Sequence, residues 1–282
     1  MKRIFLQSVI TIFFALTAVN CYQSGGEKVS FGQTVTDGYR LIDYANRLTT
    51  LKNHRSAVDN YLAAYNRFAL ADFSDGRFDA ASLLIFGYEK LELKDSSNYW
   101  LNKTKEISSY SNRLEAKFVL VNAKLNFEKG NYHLLDKSDD VDIKYSDYSE
   151  RIELSAYKLL SKIKTNSPTD SEYHYLLSLI NNKKNLSENL ESYSFGWYAL
   201  GYAEFNSANF ENAIKNFNNS MNYDKTSGNS EGIADNLFMI GKCYSKLNKT
   251  KSANEYFERA AELFKVLKND AMVKQADDLL VK

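Results

Sequence analysis

Proline is almost missing: the 282-residue chain has one, Pro168, and only 12 glycines. Both residues interrupt helices, so their scarcity removes most of the breaks that a loop-rich fold needs and favours a helical one. Cysteine is nearly missing too. Cys21 and Cys243 are too few to form a disulfide framework. The three histidines, His54, His133 and His174, lie far apart, and none has a second histidine or a cysteine at metal-ligand spacing. No metal, cofactor or catalytic group is expected at any of them. An excess of one charge is also absent: 36 Lys and Arg face 35 Asp and Glu. That balance argues against a nucleic-acid binder, which carries a basic excess. What the chain does have is apolar matter, 44% of its residues, enough for a buried core.

The apolar run at the start, Ile4 to Ala18, is too short for a spanning helix and follows the basic pair Lys2-Arg3. Residues 1–20 therefore read as a signal peptide. Without Lys2 and Arg3 the remaining chain tips to a slight acidic excess. The leader ends in Leu16-Thr17-Ala18-Val19-Asn20-Cys21, which resembles the lipobox of bacterial lipoproteins, with Asn20 where that family has Gly, Ala or Ser. The resemblance implies cleavage before Cys21 and acylation of its thiol, an anchor of several lipid chains. Residues 21–37, with Gly25-Gly26, Gly32, Ser24 and Ser30, read as a flexible tether.

A repeat organises the rest. Gly201 and Gly241, Ala213 and Ala253, and Phe217 and Phe257 are pairs with one common spacing. Trp197, Leu200, Gly201, Ala213, Phe217 and Ser220 form one copy; Ile240, Gly241, Tyr244, Ala253, Phe257 and Ala260 form the next. Small residues let two antiparallel helices approach, and the large ones fill the space between them. These residues resemble the tetratricopeptide repeat (TPR). The spacing is longer than that family's usual period. The polar run Asn222 to Ser230 is expected to take up the extra length as a longer turn. Ala57, Tyr61 and Ala64 keep the second-helix spacing, several whole periods before Ala213.

The predicted fold is all-α, a TPR-like helical-hairpin solenoid over 38–282 with twelve or thirteen helices. The clear repeats lie near 38–71, 194–227 and 234–267, with degenerate ones between them. Leu84, Tyr88 and Leu91, followed by Trp100, Thr104 and Ile107, keep the positions without the small residues. The run Asp136 to Asp142 is too polar for a partner helix. Ser167-Pro168-Thr169-Asp170 predicts a helix start with Ser167 as N-cap. Asp270 to Leu280 predicts a C-terminal capping helix.

Two candidate sites are weak on their chemistry. Asp136, Ser138, Asp140, Asp142 and Asp147 have the spacing of a calcium loop, but Val141 stands where the sharp turn needs Gly, so a solvated acidic loop is expected. Cys243 reads as a small buried thiol.

The stronger candidate is a surface. In TPR proteins the outward positions of each first helix line a ligand groove. Here those positions hold Phe195, Tyr198, Tyr202, Phe205 and Asn206, then Asp235, Phe238, Lys242, Ser245 and Lys246. Aromatics with a few cations grip an extended or helical peptide; alternatively, neighbouring helices bury the same stripe as core. The resemblance implies a non-enzymatic scaffold, lipid-anchored in the bacterial envelope on the periplasmic face of the outer membrane, binding a protein or peptide partner. A solute-binding or transporter accessory lipoprotein, for which a closed apolar cavity would speak, and an envelope hydrolase are the alternatives.

Overall fold

A computed structural model describes residues 30–137, 144–182, 186 and 189–280. The leader, Cys21 and the first part of the tether lie outside the described residues, as does the centre of the acidic run. Among the described residues every regular element is helical, twelve α-helices and one 3-10 turn, and the fold is the expected all-α array of TPR-like hairpins. The chain divides after Gly87 into two compact units.

In the first unit, α1 (Phe31–Thr50) pairs with α2 (His54–Leu70), and α3 (Ser74–Lys90) follows, its last turn falling past the divide. The tether was expected to run to Asp37, but α1 starts at Phe31. Ser30 Oγ accepts the Gln33 N–H at 3.2 Å, and the Phe31 ring meets Phe73 edge-on at 6.2 Å. A cap and an aromatic anchor are enough to wind these residues into helix. Ala57, Tyr61 and Ala64 are buried, as their spacing predicts. The centre of the unit is Phe68, with no exposure. A Cβ on Gly38 of α1 or on Gly76 of α3 would lie 2.4 Å from its ring, so both positions must be glycine for the helices to close on it.

The second unit contains α4 (Lys94–Ser108), α5 (Asn112–Glu128), the 3-10 turn Tyr132–Lys137, α6 (Tyr148–Lys164), α7 (Asp170–Asn182), α8 (Leu190–Asn206), α9 (Phe210–Ser227), α10 (Ser230–Lys246), α11 (Thr250–Val266) and α12 (Asp270–Asp277). The repeated residues do what the spacing requires. A Cβ on Gly201 would meet the Phe217 ring at 2.8 Å, and one on Gly241 the Phe257 ring at 2.7 Å. The same small-on-aromatic contact closes α8 on α9 and α10 on α11. Ala276 of α12 is buried against the last apolar cluster, as a capping helix requires.

Two local expectations differ. The extra length of the repeat is not a long turn: α9 continues to Ser227, and only Gly228, at φ +78°, and Asn229 separate it from α10. Buried Met221 and Asp224 extend the inner face of α9 by a further turn, so helix forms through the polar run. Ser167 does not cap α7; its Oγ lies 2.9 Å from Thr165 Oγ1, and the helix starts at Asp170 with Tyr173 N–H bonded to the Thr169 carbonyl at 2.9 Å. Ser138, Asp140 and Asp142 of the acidic run lie outside the described residues, and Asp147 at its end caps α6. Its side chain caps the third residue while Glu150 Oε2 accepts the Asp147 N–H at 2.8 Å.

The connections are one motif used repeatedly. Lys52, Asp72, Glu92, Gly130, Asn166, Ala208, Gly228, Asn248 and Lys268 all have φ between +49° and +78°. After each, the next N–H reaches back to a carbonyl in the last full turn of the helix, as from Asn53 to Leu48 or Asn209 to Glu204, both 2.9 Å. This is the Schellman helix stop. It recurs at one even step through Lys52, Asp72 and Glu92, and at the same step through Ala208, Gly228, Asn248 and Lys268. That step is one helix with its turn, so two of them set the period of the hairpins.

Candidate partner-binding face

The predicted stripe lies on α8 and α10, and α6 adds to it. Phe195 packs on Tyr157 of α6, ring centres 4.7 Å apart, and Tyr157 packs on Phe127 of α5 at 5.5 Å. Tyr198 stacks on Tyr202 at 6.5 Å. Lys164, the last residue of α6, donates to the Tyr202 hydroxyl at 3.0 Å and sits 5.0 Å from its ring centre. Lys242 bridges the two repeats, with Nζ 5.2 Å from the Phe205 ring and 5.8 Å from Phe238. The result is a row of aromatics crossing successive helices, with lysines at the C-terminal end.

Burial sorts the row. Phe195, Tyr198, Tyr202, Phe205 and Lys242 are half-buried, and Lys246 is exposed. Phe238 is core instead of wall: it is 8% exposed and packs on Phe257 and Phe264 at 5.8 and 6.4 Å. Its helix is covered by α11 at that position, while Asp235 and Lys246 of the same predicted row stay exposed and Lys242 half-buried. Tyr198 also leans inward, 5.5 Å from Phe217, and burial, with Asp235 and Tyr202 nearby, raises its phenol above the ordinary value.

At the other end of the same helices the row opens into an acidic hollow of about 290 Å³. Glu191, Glu231 and Asp235 line it, with Phe195 and Tyr198 forming its aromatic side. Asp235 stands open to water on the wall, yet crowding by surrounding protein, then the Glu231 and Asp224 carboxylates, push its carboxyl up to about 6. The face thus runs from carboxylates through aromatics to lysines. Each charge also suits the nearer helix end, since acids favour N-termini and lysines C-termini.

Among the described residues no group of three or more His, Cys, Asp or Glu could hold a metal ion. Cys243 is fully buried, as expected, and burial pushes its thiol up to about 12, away from nucleophilic thiolate. No helix among the described residues is long and apolar enough to cross a membrane.

Tyr157 and Lys164 were missing from the predicted row. Tyr157 precedes Phe195, and Lys164 precedes Tyr202, by one shared interval that nearly equals the step relating α8 to α10. That offset is their sequence signal.

With the hairpins and their Gly–Phe contacts in place, comparison with known proteins is direct. Residues 194–265 match the tetratricopeptide repeat family. The matched segment covers the last two of the three clear repeats, α8 to α11 apart from the first residues of α8 and the last of α11. The chain is also similar to the crystal structure of a signal transduction ATPase with numerous domains (STAND), a protein with a tetratricopeptide repeat sensor, from Pyrococcus horikoshii. The TM-score is 0.53 at 14% identity, over 89% of this chain and 43% of that one. The likeness is one of fold, and this chain spans less than half of that protein's length. No curated protein matches the sequence.

Proposed function

We propose that this chain is a non-enzymatic scaffold that holds a protein or peptide segment along the face of α6, α8 and α10. The observation that carries the reading is the aromatic row. Four rings from α8, a side chain from α6 and Lys242 from α10 share one surface and remain half open. Half-buried aromatics flanked by cations supply the contacts that dominate peptide recognition. The hollows described here are lined by charged side chains rather than closed and apolar, which favours this reading over a solute-binding one. The lipobox resemblance adds the address: a bacterial envelope protein anchored through acylated Cys21, facing the periplasm from the outer membrane and serving assembly of an envelope complex.

A photo-crosslinking residue placed at Tyr202, and separately at exposed Lys225 on α9, tests the face in intact membranes. A discrete crosslinked partner is expected from position 202 and none from 225; equal yields from both would remove the face from consideration. Mass spectrometry of the purified protein tests the anchor, since an unmodified N-terminus at a residue other than Cys21 contradicts it.

A further inference from the structure

The acidic hollow beside the aromatic row is out of charge balance. A second hollow, of about 300 Å³ between α6 and α7, shows the contrast: its one carboxylate, Glu172, is held by Lys162 at 2.5 Å, and Arg151 and Lys158 share its lining. The acidic hollow has four carboxylates, Glu191, Asp224, Glu231 and Asp235, and no cation in its lining. None of the four forms an ion pair among the described residues.

Helix ends account for only half of this. Glu191 and Glu231 lie in the first turns of α8 and α10, where a helix favours an acid. Asp235 stands further along α10, exposed on the wall, and Asp224 lies in the last turn of α9, the end that disfavours an acid. An unsatisfied acceptor belongs to the same lining. Asn236 is fully buried there, and its Nδ2 is taken by Ser220 Oγ at 2.9 Å and by Asp224 Oδ2 and the Gly232 carbonyl at 2.8 Å each. Its Oδ1 is buried with no donor. A lone buried acceptor is unfavourable, and with the amide nitrogen committed, the oxygen is the end left for a ligand.

We infer that this hollow takes an arginine side chain of the segment held on the aromatic row, which rests on the scaffold reading. The carboxylates call for a cation, but no group of three acids among the described residues could hold a metal ion, so they are spread too widely for a point charge. A guanidinium is broad and planar, with five N–H donors set in several directions, whereas an ammonium gathers three at one atom. The hollow's 290 Å³ has room for the side-chain stem as well. Phe195 and Tyr198 supply the aromatic side, and a guanidinium stacks on such rings and sheds water more readily than an ammonium. It then lies among Glu191, Glu231 and Asp235, with one N–H for Asn236 Oδ1. Crowding first, then the Glu231 and Asp224 carboxylates, disfavour the Asp235 charge, and a bound cation offsets the second of these causes. Because the same two rings belong to the row, the arginine also fixes where the segment sits along the face.

The test is titration of the full chain with N-acetyl-arginine amide at fixed ionic strength, followed by ligand-observed NMR. N-acetyl-lysine amide and the neutral N-acetyl-citrulline amide are parallel probes. Saturable binding is expected for the arginine amide, about fivefold weaker binding for the lysine amide and none for the citrulline amide. Asp235→Asn and Glu231→Gln, both at exposed positions, should each weaken arginine binding about threefold. Glu211→Gln, exposed at the far end of α9, removes the same charge and should leave binding unchanged. Absence of saturable binding, equal affinity for either other amide, or affinity unchanged in both hollow variants would each overturn the inference. A discrete crosslink from position 202 without arginine binding would remove this site and leave the scaffold; arginine binding without that crosslink would remove the scaffold and keep the guanidinium site.

Discussion

The two units solve the same packing problem with opposite chemistry. Phe68 and Asp224 are equivalent in the repeat, each at the end of a second helix and each 0 to 1% exposed. Around Phe68 the equivalent positions are Gly38, Ala64, Phe73, Gly76 and Ala80; around Asp224 they are Ser194, Ser220, Asn229, Gly232 and Asn236. In the first unit the ring touches Phe73 at 5.9 Å and is clamped by two glycines. In the second, Asp224 Oδ1 accepts from Ser194 at 2.6 Å and Asn229 at 2.8 Å, and Oδ2 from Asn236 at 2.8 Å. Only the glycine opposite is common to both: a Cβ on Gly232 would lie 2.5 Å from Asp224, as one on Gly76 lies 2.4 Å from Phe68. The junction needs a close approach and a filled centre. Whether that centre is oily or polar is free, provided its neighbours change with it.

The comparison is broken most severely by crossing the chemistries. Phe68→Asp places a carboxylate among groups that cannot donate to it and should cost about 4 kcal/mol or more. Urea unfolding should show the loss, and hydrogen exchange should assign it to α1 and α2. A melt close to that of wild type would mean that water reaches the centre. Asp224→Ala removes the acceptor shared by buried Ser194 and Asn236 and half-buried Asn229, and because Ser194 and Asn236 keep bonds to Ser220 and Gly232 it should cost about 1–3 kcal/mol. Replacing the set together, Asp224→Phe with Ser194→Gly, Ser220→Ala, Asn229→Phe and Asn236→Ala, should recover most of that loss. No recovery would show that the neighbours do more than match the centre.

A comparable effect is expected where both hairpins of the second unit are alike. Gly201→Ala drives a methyl group to 2.8 Å from the Phe217 ring, and overpacking of this kind costs about 1–3 kcal/mol. Gly241→Ala should cost a similar amount through Phe257. A difference of more than about 1 kcal/mol between them, measured by chemical denaturation, would mean that the two hairpins are not energetic equivalents.

What was legible in the sequence was the apolar half of this logic. Gly201 with Phe217 and Gly241 with Phe257 stand out because small and aromatic residues are rare and their spacing recurs. The polar centre was hidden, since Ser194, Asp224, Asn229 and Asn236 look like ordinary surface residues until the helices bring them together. The turns were hidden for a related reason. Glycine marks the left-handed position only at Gly130 and Gly228; Lys52, Asp72, Glu92, Asn166, Ala208, Asn248 and Lys268 adopt it against their preference, at a cost of about 1–2 kcal/mol each that packing on either side offsets. The aromatic row was half legible. Period placed Tyr202 and Phe205 on the surface, but period alone does not say that α11 covers Phe238.

The smallest effect concerns pH, and it should separate the units. In the second unit Asp235 titrates at about 6 in the folded state, above an ordinary aspartate, because crowding and the nearby Glu231 and Asp224 carboxylates disfavour its charge. Burial first, with the Glu191 carboxylate, raises Asp224 against the hydrogen bonds of Ser194, Asn229 and Asn236. The first unit has no counterpart at its centre, since Phe68 does not ionise. A folded value above the unfolded one means that the fold favours the protonated acid. That contribution is therefore fully present below about pH 4 and is lost as pH rises through about 6. Asp235 is open to water, so the change is small. Between pH 5 and 7 the wild-type melting temperature should fall by about 1–2 °C more than that of Asp235→Asn. Hydrogen exchange should place the difference in α8 to α10 and leave α1 and α2 unaffected. A larger fall in Asp235→Asn than in wild type would reverse the sign and show that the carboxylate is stabilised where it stands.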